Sequence, residues 1–458
     1  MNPLVYITMF GWIPVVLSLF ARFKPRHAVI VAFLTGWLFL PVAGFNIKGL
    51  PDYTKMSATC WGIFLSAVIF DQKRILSFKP GLIDIPIIMW CICPVFSSLN
   101  NDLGLYDGLS ESLDLIVTWG FPYLIGRLYF NDLESQRELA IGILVGGLIY
   151  VPLCLVENVM SPQLHRWVYG YHQSSFAQTF RMGGWRPMVF MQHGLMVGVW
   201  MMSASLIAFW LWKSNMLKKM LGISGSCIVG ALVATSALVR STGAFALLLG
   251  GIFVLLFLKI SKSRLIVICV MAIPVLYISV RSTGIWDGYN LQAFIAENIS
   301  YDRAMSLWTR MENENILAEK AFERPIFGWG GWGRSRIYDE SGKDISITDG
   351  NWIIIFGKHG LFGLLFFTVL FLYPICVFMR NYPAKSWTFP KVAPSAVLSV
   401  LLGLYMIDNL LNSMVNPIFT AIAGGLIGAV KEQYSKSPSP FVKEKELIHT
   451  KDVGPRFI

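Results

Sequence analysis

Residues 238–284 read LVRSTGAFALLLGGIFVLLFLKISKSRLIVICVMAIPVLYISVRSTG. Two apolar runs, 242–259 and 265–280, are separated by a short basic segment and bounded by Arg240 and Arg281. An apolar run of roughly 17–25 residues is long enough to cross about 30 Å of hydrocarbon as an α-helix. The stretch therefore predicts two consecutive membrane-spanning helices joined by a basic loop.

The rest of the chain repeats this pattern. Of its 458 residues, 55% are hydrophobic and 14% are charged, whereas soluble domains contain about 25% charged residues. We therefore predict an all-α polytopic membrane protein with about 12–13 transmembrane helices and one large, partly helical extracytoplasmic loop. The predicted spans lie near 3–20, 27–44, 57–70, 82–98, 113–130, 139–156, 187–212, 221–238, 242–259, 265–280, 351–379, 394–408 and 415–430, and the last two could instead form one re-entrant pair.

Basic residues indicate the orientation, because loops rich in Lys and Arg stay in the cytoplasm. They cluster on alternate predicted loops, except that the loop 131–138 lacks a cluster, so segments 157–186 and 281–350 should lie on the extracytoplasmic side. The net charge of +11 follows from this bias and does not indicate binding to nucleic acid. The basic clusters lie at 22–26, 73–79, 213–219, 259–264 and 380–391.

The sequence lacks the motifs that several kinds of chemistry require. The seven cysteines lie in or beside apolar spans and none has C-x-x-C spacing, which argues against a disulfide framework or a zinc site. No P-loop is present, so an ATP-driven pump is not expected. No D-x-D or E-x-D cluster faces outside, which argues against a glycosyltransferase with a bound divalent metal. We therefore expect neither a metal nor a cofactor.

Arg240 is predicted at the outer mouth of two spans, where a charge costs a few kcal/mol unless it reaches the interface or a partner. It is either an arginine that snorkels at a helix end or part of an anion site. Ser241, Thr242 and Gly243 open the next helix, so free backbone N–H groups should lie beside the guanidinium. That combination suits a phosphate group.

The long segment 281–350 carries further arginines. Arg303, Arg310 and Glu314 follow helical spacing and should share one helix face. They form either a solvated face or one half of a diphosphate site, since guanidinium forks neutralise phosphate oxygens. Trp332 belongs to a Gly/Trp-rich stretch in which aromatic rings either form an interfacial belt or stack on a sugar.

The candidate acid–base residues are few. Asp349 precedes the next span, where it would either cap the helix or take a proton from an acceptor hydroxyl. Glu157, Asp408 and His193 are alternatives for the second task. We place His193 a few residues inside an apolar span.

Arg181 and Arg186 precede His193 in the segment RMGGWRPMVFMQHGL (181–195). Together with His193, Arg303 and Trp332, they are candidate substrate-binding residues.

The region from about 112 to 371 resembles the O-antigen ligase and O-antigen polymerase superfamily of bacterial membrane glycosyltransferases. The matching features, in order, are the segment FPYLIGRLYFNDLESQRELA (121–140), the arginine-bearing segment 181–195, the RSTGA turn at Arg240, and an outer loop ending P-x-x-G-W-G before GKHGLFGLLFF (357–367). We therefore predict a ligase/polymerase-like core at 112–380. N-terminal helices (1–111) precede this core, and C-terminal helices (381–430) and a disordered cytoplasmic tail (431–458) follow it.

The resemblance implies a polyprenyl-diphosphate-linked glycan as donor, a glycan or lipid acceptor, and catalysis without metal at the outer face of the bacterial cytoplasmic membrane. It places phosphate binding on Arg240 and Arg310. Ligases of the family carry a His-Asn pair where the long loop rejoins the membrane, whereas this chain has Asp349-Gly350-Asn351. We therefore take Asp349 as the substitute and favour a polymerase, or a ligase for another acceptor.

Two other classes of function remain open. A flippase or export transporter of lipid-linked glycan would need polar residues along a whole membrane path, and spans 221–238 and 242–259 hold no charge except Lys259. A non-enzymatic scaffold would instead bind polysaccharide-assembly machinery. Membrane lipids and that machinery are the other expected partners, and nucleic acid is not.

Overall fold

The described part of the chain is 73% helical with almost no sheet, which confirms the prediction of an all-α protein. A computed structural model describes residues 2–47, 51–298 and 301–436, without the side chains of 302, 303, 306 and 430–436. Sheet in this part is limited to three two-stranded antiparallel hairpins. Their strands are β1 (Gly44–Phe45), β2 (Tyr53–Thr54), β3 (Phe180–Arg181), β4 (Gly184–Trp185), β5 (Lys219–Met220) and β6 (Ile223–Ser224).

Within these described ranges, eight helical segments are long and apolar enough to cross a membrane, so the chain is a multi-pass membrane protein. Four shorter apolar helices accompany them. In chain order the helices are α1 (Pro3–Arg22), α2 (Pro25–Phe39), α3 (Lys55–Phe70), α4 (Gln72–Leu76), α5 (Ile85–Asn100), α6 (Leu105–Leu115), α7 (Phe121–Tyr129), α8 (Leu133–Met160), α9 (Leu164–Tyr169), α10 (Gly194–Lys213), α11 (Gly225–Leu238), α12 (Thr242–Ser261), α13 (Leu265–Ser282), α14 (Tyr289–Asn298), α15 (Tyr301–Phe322), α16 (Asn351–Asn381), α17 (Ala393–Leu411) and α18 (Pro417–Lys436).

Helices α10 and α17 form the centre of the bundle, since nearly all of their residues are buried against other helices. The predicted span 113–130 comprises α6, a π-helical turn (Ile116–Gly120) and α7. The region 394–430 forms two separate helices, α17 and α18. Helix α18 continues to Lys436, and the rest of the predicted tail, 437–458, lies outside the described residues.

Polar contacts identify the two ends of the bundle. At one end, Nη2 of Arg26 lies 2.8 Å from Oδ2 of Asp132. At the other, the hydroxyl of Tyr169 donates to the carbonyl of Phe39 at 2.7 Å. Helix α8 has 28 residues and is about 42 Å long at 1.5 Å per residue, so it connects the two ends. We call them the basic end (Arg26, Asp132) and the loop end (Phe39, Tyr169).

A buried ion pair holds the long segment 281–350 at the loop end. Nη2 of Arg281, near the end of α13, lies 3.2 Å from Oε2 of Glu314 on α15. The same oxygen accepts from the hydroxyl of Tyr277 at 2.8 Å, and Oε1 accepts from the indole of Trp352 on α16 at 3.2 Å. Because both carboxylate oxygens are engaged, the pair fixes α15 against two long helices.

Removing the charge of Glu314 should therefore destabilise the fold. In Glu314→Gln, the buried Arg281 loses its counter-ion, which typically costs about 3–5 kcal/mol. We expect a lower free energy of unfolding for the detergent-solubilised protein. Glu319→Gln, an exposed position on the same helix, should stay within about 0.5 kcal/mol of wild type. Equal effects of both substitutions would contradict a structural role for the pair.

Candidate functional site

Glu157, near the end of α8, fixes the loop that follows it. Its Oε2 accepts from the backbone N–H groups of Met188 and Val189, both at 2.8 Å, and its Oε1 accepts from the N–H of Leu164 at 3.0 Å. The side chain is buried. Because three backbone donors occupy this carboxylate, the geometry favours an anchoring role for Glu157 over that of a general base.

Residues 187–193, predicted as the start of a span, are not helical. Helix α10 begins only at Gly194, because Glu157 binds the backbone of the preceding segment in a non-helical conformation. His193 is consequently the N-cap of α10 and does not lie inside the span. Its Nδ1 accepts from the N–H of Leu195 at 3.1 Å.

Arg240 occupies the turn between α11 and α12 with a left-handed backbone, φ 57°. Its Nη1 donates to the carbonyl oxygens of Met182 at 2.6 Å and Arg181 at 3.3 Å. Gly184 lies directly on the guanidinium, and a Cβ there would be 2.1 Å from Nη2. Nη2 of Arg186 in turn donates to the carbonyl of Arg240 at 3.1 Å. These hydrogen bonds therefore fix the β3–β4 hairpin and the RSTGA turn against each other.

One edge of the Arg240 guanidinium remains available. Nε is buried and has no hydrogen-bond partner in the described part of the chain. The fixed Nη1 lies on the other side, so the Nε/Nη2 edge has the fork geometry that binds two oxygens of a phosphate or carboxylate. The N-cap Ser241 makes no side-chain capping bond, which leaves the first N–H groups of α12 beside this edge.

His193 lies in the electrostatic field of arginines. Burial, together with the positive charges of Arg186, Arg181 and Arg310, lowers its pKa to about 4. The imidazole is therefore neutral at neutral pH. Because Nδ1 accepts a backbone N–H, its proton belongs on Nε2, which faces Oε1 of Gln178 at 3.1 Å.

Arg310 brings the long loop to the same place. From α15, its Nη1 donates to the carbonyl of Leu411 at the end of α17, at 3.0 Å, and its Nε lies 3.3 Å from Oδ2 of Asp349. It also acts electrostatically on His193. We name this group the cationic cluster; its members are Arg181, Arg186, His193, Arg240 and Arg310.

Asp349 is the carboxylate next to this cluster, and its side chain is 43% exposed. It is not the N-cap of α16; that residue is Gly350, without a side-chain capping bond. The capping interpretation of Asp349 is therefore wrong, and its partner is Arg310. Asp408 is buried on α17 and accepts from Nδ2 of Asn412 at 2.8 Å.

Two predicted site residues are not placed in the cluster. Trp332 is 77% exposed, and its loop contacts α6 instead: Nη1 of the nearby Arg334 lies 3.0 Å from Oδ2 of Asp107. Arg303 lies on α15, but its side chain is outside the described residues.

A second polar group, on α6 and α16, was not predicted from the sequence. Glu111 pairs with Lys358, and Nε2 of the buried His359 lies 3.8 Å from Oε1 of Glu111. Helix α16 is broken here, with φ 63° and ψ −165° at Gly360. The only signal was the sequence GKHG inside an apolar run. Groups of three or more His, Cys, Asp or Glu side chains that could bind a metal do not occur among the described residues.

The chain was compared with protein-family models and with curated proteins. No family model matches it, and no curated protein is significantly similar.

The low pKa of His193 predicts a pH-dependent stability. The unfolded chain binds this proton near pH 6.5, whereas the folded chain binds it only near pH 4. The stabilising contribution is thus complete above pH 6.5 and is lost as the pH falls towards 4. Between pH 7.5 and 5, the melting temperature of wild type should fall more than that of His193→Gln. His27→Gln, at the basic end, should behave as wild type; an unchanged pH dependence in His193→Gln would contradict the proposed environment.

Proposed function

We propose that the protein transfers a glycan from a polyprenyl-diphosphate carrier to an acceptor hydroxyl, as a polysaccharide polymerase or ligase. The observation that carries the proposal is the unpartnered Nε of Arg240 beside the uncapped start of α12. Both features favour a phosphate ligand. Arg310 approaches from a different segment, which suits the two phosphates of a diphosphate.

The reaction forms one bond and breaks one. The acceptor oxygen attacks the anomeric carbon, and the bond from that carbon to the diphosphate oxygen breaks. The leaving polyprenyl diphosphate gains negative charge, which the fixed guanidinium groups of Arg240 and Arg310 stabilise. The acceptor proton passes to the carboxylate of Asp349, which orients the hydroxyl and accepts the proton late.

We also propose a topology of 13 passes in alternating directions. It is supported by the twelve apolar helices of the described residues, with α6 and α7 counted together as one further crossing. Positive-inside bias then places the basic end in the cytoplasm and the cationic cluster outside. We further propose the bacterial cytoplasmic membrane, where the lipid tail of such a donor lies in the bilayer and its glycan outside.

Transport of the lipid-linked glycan is the second candidate, and the break in α16 favours it. Discontinuous helices and buried ionisable residues such as His359 often line transport sites. The two functions differ in their products: transport leaves the sugar–phosphate bond intact, whereas transfer releases polyprenyl diphosphate.

Arginine substitutions test the donor site. Purified protein in nanodiscs is incubated with polyprenyl-diphosphate-linked glycan and candidate acceptors, and released polyprenyl diphosphate is measured. Arg240→Lys should lower turnover about 10²–10³-fold, because an ammonium cannot form the fork. Arg380→Lys, an exposed position at the basic end, should retain wild-type turnover.

A glycine pair tests the placement of Arg240 without changing charge. Gly184→Ala should also lower turnover, since its Cβ would collide with the guanidinium. Gly250→Ala, where a Cβ meets no atom within 4 Å, is the matched control. Wild-type turnover in Arg240→Lys and Gly184→Ala would refute the donor site, and glycan movement without cleavage would favour transport.

Asp349→Asn tests the carboxylate. The amide preserves the shape and can still accept from Arg310, but it cannot take up a proton. Turnover should fall by about 10²–10⁴-fold with a nearly unchanged melting temperature. Asp339→Asn, on an exposed part of the same loop, is the charge-matched control. If Asp349→Asn turns over like wild type, Asp349 only positions Arg310.

A further inference from the structure

The basic end of the bundle contains a cavity that the proposed transfer reaction does not use. It has a volume of about 710 Å³ and lies between α4, the segment after it, the end of α7, and α18. Four cations line it, namely Lys73, Arg74, Lys79 and Arg127, against one carboxylate, Asp71. An excess of positive charge in a concave site favours an anionic ligand.

The protein engages only some of the donor nitrogens of Arg127 and Arg74. Arg127 is 6% exposed and binds Asp84 through Nε at 2.7 Å and Nη2 at 3.2 Å. Arg74 binds Asp71 through Nε and the carbonyl of Leu128 through Nη1. Nη1 of Arg127, Nη2 of Arg74 and Nζ of Lys73 therefore have no hydrogen-bond partner among the described residues. Three donors converging on one cavity suit a phosphate group.

Gly428 on α18 allows this approach. A Cβ at Gly428 would lie 3.1 Å from Nη1 of Arg127, so a larger residue would crowd the one nitrogen of this buried arginine that is not engaged by Asp84. The glycine keeps the cavity wall next to that nitrogen free of side-chain atoms.

The surface next to the cavity is apolar. Leu128 lines both the cavity and a narrow gap between α3 and α7, which has a volume of only about 10 Å³ and cannot hold a hydrocarbon chain. The outer side of α3 exposes Val68, Ile69 and Phe70, and α4 follows α3 directly at the cavity. A charged chamber beside the exposed apolar surface of a membrane helix matches a ligand with an anionic head and a hydrocarbon tail.

We infer that this cavity binds an anionic phospholipid, with its phosphate at Arg127, Arg74 and Lys73 and its chains on the exposed apolar side of α3. The site lies at the opposite end of α8 from Glu157 and the cationic cluster, and it is independent of the proposed transfer reaction. A free phosphate ion would share the head site but would not contact the apolar side of α3.

Thermal-shift titration of the purified full-length protein tests the inference with three probes. These are dioctanoyl phosphatidylglycerol, dioctanoyl phosphatidylcholine and inorganic phosphate. The anionic lipid should have the lowest Kd. Lys73→Gln should raise that Kd about fivefold, the usual effect of one basic residue near an anionic head. Lys218→Gln, exposed in another basic loop, should not change it.

The apolar contact is tested separately with Ile69→Ser, on the exposed side of α3. This substitution should weaken lipid binding and leave phosphate binding unchanged. Equal losses in Lys73→Gln and Lys218→Gln would overturn the site as non-specific surface charge. Phosphate binding as tight as that of the lipid, with no effect of Ile69→Ser, would overturn the lipid as the ligand. Because neither measurement uses glycan transfer, failure here leaves the proposed function untouched.

Discussion

The carboxylate of Glu157 is the interaction on which the site depends. It lies near the carboxyl end of a long helix, where the helix dipole disfavours negative charge, and it is buried. Three backbone N–H groups compensate for both costs. Since these donors belong to the loop after α8, the energy that satisfies the carboxylate also fixes the segment that carries Arg186 and His193.

The break in α16 is governed by the rule that backbone groups in an apolar environment need hydrogen-bond partners. The carbonyls of Gly357 and Lys358 accept from the N–H groups of Trp329 and Gly330, each at 2.9 Å. The N–H of Leu361 donates to the carbonyl of Pro325 at 2.8 Å. The P-x-x-G-W-G segment thus replaces the missing helical bonds on both sides of the break. The long loop is therefore part of the bundle and not an appendage.

Apolar runs predict helices well here because an apolar run of spanning length has no better way to satisfy its backbone in a membrane. The same reasoning fails at 187–193, whose composition resembles a span, because the deciding group is Glu157, thirty residues earlier in the chain. Periodicity also identified the turn at Arg240 and the helix carrying Arg310. It could not show that Arg310 pairs with Asp349, or that Trp332 belongs to another surface, because these depend on packing between distant segments.

The arginines differ in how their charge is balanced. Arg281 is buried against the carboxylate of Glu314, which cancels its charge. Arg240 is held mainly by carbonyl oxygens, which fix a guanidinium in place without neutralising it. A fixed, uncompensated cation costs free energy in the empty site, and that cost is recovered when an anion binds. The turn at Arg240 thus retains positive charge where a guanidinium edge and a helix start lie together.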